Sequence, residues 1–170
     1  VKSVLFRFGK DGSLSGSKLA ESVIRSNKRL TYEQAKLFMT EKDLAAIRSA
    51  KPPQSRYSGN PGVPLSKLPK GVLGQIRGTI KTLWSIAYKL RVSRSRAGSL
   101  DLASPEVKIL VDGRGVPERI IQIENDDSHS LIEEFMLLAN ETVAKELRKR
   151  KLPGIHRVHP DPDPENLEEL

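Results

Sequence analysis

Ser128-His129-Ser130-Leu131-Ile132-Glu133-Glu134-Phe135-Met136-Leu137-Leu138-Ala139-Asn140-Glu141 is the stretch on which the fold turns. It lies in a segment predicted to enter a helix near Asp127 or Ser128 and to continue to about Lys151. The first turn is acidic and the last is Arg148-Lys149-Arg150-Lys151, so both ends suit the helix dipole. Leu152-Pro153-Gly154 then stops it. The centre, Phe135 to Ala139, is apolar all round, which predicts a helix enclosed by other structure on most of its sides.

Upstream of this helix, Val107 to Val111 and Val116 to Ile123 read as two strands. They are joined by Asp112-Gly113-Arg114-Gly115, whose glycines supply the positive φ of a tight hairpin. Further back, Val72, Ile76, Ile80, Leu83, Ala87 and Leu90 recur at helical spacing with Trp84 and Tyr88 adjoining, an amphipathic helix from about Val72 to Val92. Arg91, Arg94 and Arg96 continue from its end, where cations suit the dipole, and Gly98 breaks the pattern. Near the start, Val4-Leu5-Phe6-Arg7-Phe8, Gly9-Lys10-Asp11-Gly12 and the run from Leu14 toward Val23-Ile24 read as another hairpin. Thr31 caps a helix reaching about Met39, with Gln34 closing a capping box. A second helical piece carries Leu44 and Ile47. The stretch from Lys51 to Pro64, rich in proline and lacking apolar periodicity, is expected to be an exposed or disordered loop within a flexible basic insertion at about 51–68. Hairpins and long helices together predict an α+β (mixed) fold, a twisted sheet packed against helices.

Net charge is +8, distributed as +4 over residues 1–43, +11 over 44–100 and −7 over 101–170. From Leu44 to Leu100 there are eleven Lys or Arg and no Asp or Glu, which would lay a positive stripe on any fold and points to a polyanionic partner. The bland counterpart is a basic solubilising face or a disordered insertion. There is no cysteine, so disulfide frameworks, thiolate zinc sites and cysteine nucleophiles are excluded. No stretch approaches the roughly 20 apolar residues that cross a bilayer, and the expected location is cytoplasmic. His156 and His159 lie in a β-branched run without a third ligand nearby, which argues against zinc. Asp161, Asp163 and Glu165 alternate with prolines and read as a turn and a helix start.

The segment from Ser128 to Glu141 closely resembles the "IEE-hydrophobic-M-hydrophobic-x-AN" helix of the RNB catalytic domain, shared by bacterial ribonucleases II and R and the catalytic subunit of the eukaryotic exosome. Other features follow in family order. They are a basic stretch leading to Arg29-Leu30-Thr31-Tyr32, a Gly98-x-Leu100-Asp101 strand entry, and Ile155-His156-Arg157-Val158-His159 with Pro162-Asp163-Pro164-Glu165. Nearly the whole chain is covered, as the central part of one RNB domain over 1–170.

The resemblance implies a processive 3′-to-5′ exoribonuclease that draws single-stranded RNA into a channel and releases 5′-monophosphates, using Mg2+ held by aspartates. No close run of aspartates of that kind is found here, so the cluster is expected upstream of Val1. An arginine-bearing segment near the scissile phosphate, and flanking oligonucleotide-binding domains, are expected beyond this chain as well. Carboxylate-held magnesium is what activates water, so the isolated chain is expected to hold RNA without cutting it, with no catalytic or metal residue of its own.

By the same resemblance Tyr32 and Glu134 match a tyrosine and a glutamate associated with telling RNA from DNA, since both can hydrogen-bond a ribose 2′-hydroxyl. Each also has a plain structural account: Glu134 as a carboxylate in a first helical turn, Tyr32 as a helix-start residue packed on the hairpin. The RNA-binding set is completed by Leu102, Arg91, Arg94 and Arg96. Leu102 stands where many relatives place a base-stacking phenylalanine; leucine has no π-face, and such stacking is worth about 1–3 kcal/mol. Asn125-Asp126-Asp127-Ser128-His129 replaces the commoner Arg-Asn-Asp-Ala-His, losing a cation; His129 is expected to be structural or to touch RNA. A second reading is a free-standing, non-catalytic module for single-stranded RNA, and a third is a degenerate scaffold that binds only protein.

Overall fold

The computed structural model describes residues 1–51, 62–99, 106–123, 125–155, 158 and 160. Leu102, the strand entry at Leu100-Asp101, His156, His159, the helix expected at Glu165 and most of the proline-rich stretch lie outside them.

Strands β1 (Lys2–Phe8) and β2 (Leu14–Glu21) pair antiparallel, with Lys2 opposite Glu21 and a bulge between Arg7 and Phe8. Gly12 turns the chain with φ +83°, and the Asp11 side chain accepts from the Ser13 backbone N–H at 3.1 Å. Val23 and Ile24, which the sequence reading folds into this hairpin, fall beyond it and are exposed. Helix α1 (Tyr32–Thr40) opens with the expected capping box. Gln34 N–H donates to Thr31 Oγ1 at 3.3 Å, and Thr31 N–H donates to Gln34 Oε1 at 3.2 Å. Helix α2 (Leu44–Ser49) is capped by Asp43.

Helix α3 runs from Lys70 to Arg96 and is the spine of the molecule. Leu73, Ile80 and Ala87 are its buried residues, and Ile76, Leu83 and Trp84 pack beside them. Phe38 and Ile47 from α1 and α2, Leu65 from a short 3-10 turn, and Leu131 complete the core. Two details of the predicted stripe change. Leu73 rather than Val72 enters the core, because positions 73, 80 and 87 repeat every seven residues whereas Val72 is rotated by about 100° from Leu73. The helix also continues through Arg94 and Arg96 instead of ending before them, and stops only at Gly98, φ +93°. No residue from Ser93 to Arg96 breaks a helix, and Arg94 has a partner on the next helix.

Strands β3 (Glu106–Val111) and β4 (Pro117–Ile123) form the second hairpin. Gly115 takes φ +83°, while Gly113 is not among the positive-φ glycines; the Asp112 carboxylate does the remaining work, accepting from the N–H groups of Arg114 and Val116 at 2.8 and 2.9 Å. The mixed α+β class is as expected, with the hairpins as two separate two-stranded sheets.

Helix α4 (Asp127–Lys149) packs on α1, α3 and β1. Phe8 and Phe135 meet edge to face at 6.4 Å between ring centres, which seats the first hairpin on it. The predicted enclosure of this helix is only partly realised. Leu131, Ser128 and Glu134 are buried, but Ile132 and Met136, four apart on another side, are about half exposed. An all-apolar centre records only that something can cover each face; among the described residues nothing covers this one.

Candidate nucleic-acid interface

The candidate side chains among the described residues lie where α1 and α4 meet the end of α3. Tyr32 is the first residue of α1, placed there by the Thr31 cap, and its side chain is exposed. Its ring lies flat on the imidazole of His129, with centres 3.8 Å apart and planes 19° from parallel. His129 is the third residue of α4, and its Nδ1 sits 3.1 Å from Asp126 Oδ1. The carboxylate is a nearer and stronger acceptor than the Asp126 backbone N–H at 3.5 Å is a donor, so we assign the proton to Nδ1.

Asp126 caps α4 by accepting from the Ser128 N–H at 2.9 Å and hydroxyl at 2.6 Å, and it pairs with Lys36 of α1 at 3.0 Å. Burial works to raise its pKa, but the bonds from the Ser128 hydroxyl, Lys36, His129 and the Ser128 backbone outweigh that. They hold the carboxyl well below the ordinary carboxylate range. The start of α4 is therefore tied to α1 twice, once by stacked rings and once by an ion pair.

Glu134 is the eighth residue of α4, beyond the first turn in which the sequence reading sets it, and it faces another way. Its side chain is 3% exposed, and Arg94 grips it in a fork, Nη2 to Oε1 at 2.5 Å and Nε to Oε2 at 3.4 Å. Arg94 Nη1 also donates to Ser99 Oγ at 2.8 Å, so one guanidinium joins α3, α4 and the chain leaving α3. Arg91 reaches Ser130 on α4 at 3.4 Å. His129 and Glu134 are five residues apart, about 140° around α4. The structure thus brings Tyr32 to His129 and Glu134 to Arg94, and the two residues attach to different sides of that helix. Arg91, Arg94 and Arg96 do come together, lining with Tyr88, Val92 and Ser99 an open cavity of about 380 Å3 at the end of α3.

The acid-free stretch divides into two kinds of cation. Arg48, Arg77 and Lys89 donate to the backbone carbonyls of Ser66, Lys42 and Asp11, and Arg91 and Arg94 bind α4. Lys67, Lys70, Lys81 and Arg96 are exposed, with no hydrogen-bonding partner among the described residues. Charge counting missed this division because the partners are distant in sequence. It also missed the Asp126–His129 tie, whose signal, an acidic residue three before a histidine at a helix start, was present.

Among the described residues no group of three or more His, Asp or Glu could hold a metal ion. These residues therefore do not fit the magnesium set that the resemblance implies.

A family model described as the RNB domain matches residues 1–170. Ribonuclease R of Aquifex aeolicus is 36% identical over 163 residues, covering 96% of this chain and 20% of that protein. Ribonuclease R of Escherichia coli is 30% identical over 157 residues, covering 92% of this chain and 16% of that protein. The chain thus spans about a fifth of the length of the curated relatives it matches. Among solved structures, Mycoplasma genitalium RNase R in complex with ribose-methylated single-stranded RNA superposes with a TM-score of 0.69 at 23% identity, over 99% of this chain and 23% of that one. The same protein in complex with double-stranded RNA gives the same score and identity.

Proposed function

The chain belongs to the RNB domain family, and on that premise we propose that it is the RNA-holding part of a processive 3′-to-5′ exoribonuclease that converts single-stranded RNA to 5′-monophosphates in the cytoplasm. It is the central part of one RNB domain, with a basic insertion at about 51–68. The observation that carries the RNA-holding role is α3. Its exposed cations Lys70 and Lys81 lead along an acid-free helix to the cavity lined by Arg91, Arg94 and Arg96. That arrangement suits a phosphate backbone. The similar Mycoplasma genitalium protein, bound to RNA, supports the same ligand class.

In this reading Tyr32 offers its exposed phenol to a ribose 2′-hydroxyl. Glu134 can take the same task only where RNA displaces the Arg94 fork. Leu102, outside the described residues, gives apolar contact to a terminal base. Mg2+ serves the intact enzyme on residues other than those described here, so this chain by itself binds RNA and leaves it whole.

Titration of a labelled single-stranded RNA at two salt concentrations tests the interface. Affinity should fall steeply with salt, by roughly 0.7 in log–log slope for each phosphate contact. Replacing Lys70, Lys81 and Arg96 with Gln should reduce that slope by about 2. No measurable affinity at low salt sinks the proposal. The enzymatic part is tested on the full-length protein with Mg2+, where 5′-monophosphates should appear progressively from the 3′ end. RNA binding by the full-length protein without any cleavage would instead favour a non-catalytic RNA-binding module.

A further inference from the structure

We propose that His129 is the positioning residue for Tyr32: its imidazole is the platform that holds the tyrosine ring in place, and discrimination between ribose and deoxyribose passes through that stack. This rests on the reading of Tyr32 as a ribose contact. A side chain at the first position of a helix, as exposed as Tyr32, has little of its own helix to lean on. To offer a hydroxyl at a fixed point it needs an external surface, because selectivity from a single hydrogen bond is lost when the donor wanders by about an ångström. His129 supplies that surface at 3.8 Å, nearly parallel.

The platform is itself fixed. The Nδ1–H of His129 donates to Asp126, and Asp126 is fastened by Ser128 and by Lys36. Lys36 lies one helical turn after Tyr32 on α1, so the contacts close a ring: Tyr32 to His129, His129 to Asp126, Asp126 to Lys36, and back along α1. Rotation of either helix would break both ties. Steadying the Asp126 carboxylate that caps α4 explains the hydrogen bond from Nδ1. It does not require the imidazole to lie flat on a neighbour's ring, since many side chains can bond at that helix position.

Replacements separate the two roles. His129→Phe keeps a flat ring and abolishes the bond to Asp126, whereas His129→Gln keeps a bonding group and abolishes the ring. In the full-length protein the quantity read is the ratio of kcat/KM for an RNA over the same oligonucleotide with 2′-deoxy residues at its 3′ end. Tyr32→Ala and His129→Ala should each lower that ratio by about tenfold, the worth of one hydrogen bond. His129→Phe should stay within about twofold of the parent, and His129→Gln should fall with the alanine variant. In NMR spectra the Tyr32 ring protons, shifted by the imidazole ring current, should move in the Gln and Ala variants and stay near their place in the Phe variant.

A Gln variant that retains discrimination while the Phe variant loses it shows that only the cap matters and overturns the proposal. So does a loss in Tyr32→Ala without one in His129→Ala. If neither change alters the ratio, the ribose reading of Tyr32 has failed and this inference falls with it. Unmoved Tyr32 ring protons in His129→Ala would show that the stack does not exist in solution.

Discussion

At the scale of single residues, the Arg94–Glu134 pair is the most consequential contact. Its two halves differ in exposure: the glutamate side chain is 3% exposed and the arginine 37%. Removing the cation therefore strands a buried anion, whereas removing the anion leaves a cation that can still reach water. Arg94→Met should destabilise the chain by about 3 kcal/mol and Glu134→Gln by about 1–2 kcal/mol, an order that urea denaturation of both variants will check.

Asp126 carries a pH signature. Its pKa is lowered from the ordinary 3.8, so its contribution to stability is present in full above that value and is lost as pH falls below it. Asp126→Asn should lower the melting temperature near neutral pH, and the gap to the parent should narrow as the buffer is taken below pH 3.8. A constant gap across that range would show that the carboxylate is not held as described.

At the scale of elements, helix starts were legible because their determinants are local. The Thr31–Gln34 box and the acidic start of α4 need only residues within one turn of each other. The inward face of α3 was legible from Ile76, Ile80, Leu83 and Ala87, but its first position was not, since Val72 and Leu73 are both apolar and only the packing of α1 and α2 chooses between them. Leu73→Ala should cost about 3 kcal/mol as a fully buried truncation, against under about 1 kcal/mol for the more exposed Val72→Ala, measured by thermal or urea unfolding. Similar losses at both positions would mean that the seam is misplaced.

At the scale of the whole molecule, two apolar faces stand open among the described residues. One is Val107, Ile109, Val111 and Ile120 on the second hairpin, and the other is Ile132 with Met136 on α4. Surfaces of this kind drive association. The chain expressed by itself should bind the dye ANS and self-associate as its concentration rises. The double variant Ile109→Lys with Ile120→Lys should reduce both effects without a comparable change in melting temperature, because those side chains are already exposed. Unchanged dye binding in that variant would place the sticky surface elsewhere.

Sequence by itself was enough to establish the RNB resemblance, the order of hairpins and helices, and the basic middle stretch, since motif, periodicity and charge are carried by residues near one another along the chain. Tertiary structure decided which cations are spent on the protein's own carbonyls and carboxylates, that Glu134 is gripped by Arg94, and that Tyr32 rests on His129. Those pairings join residues about 40 and 97 positions apart. Only the packing of α1, α3 and α4 brings such groups within bonding distance, and no local pattern encodes it.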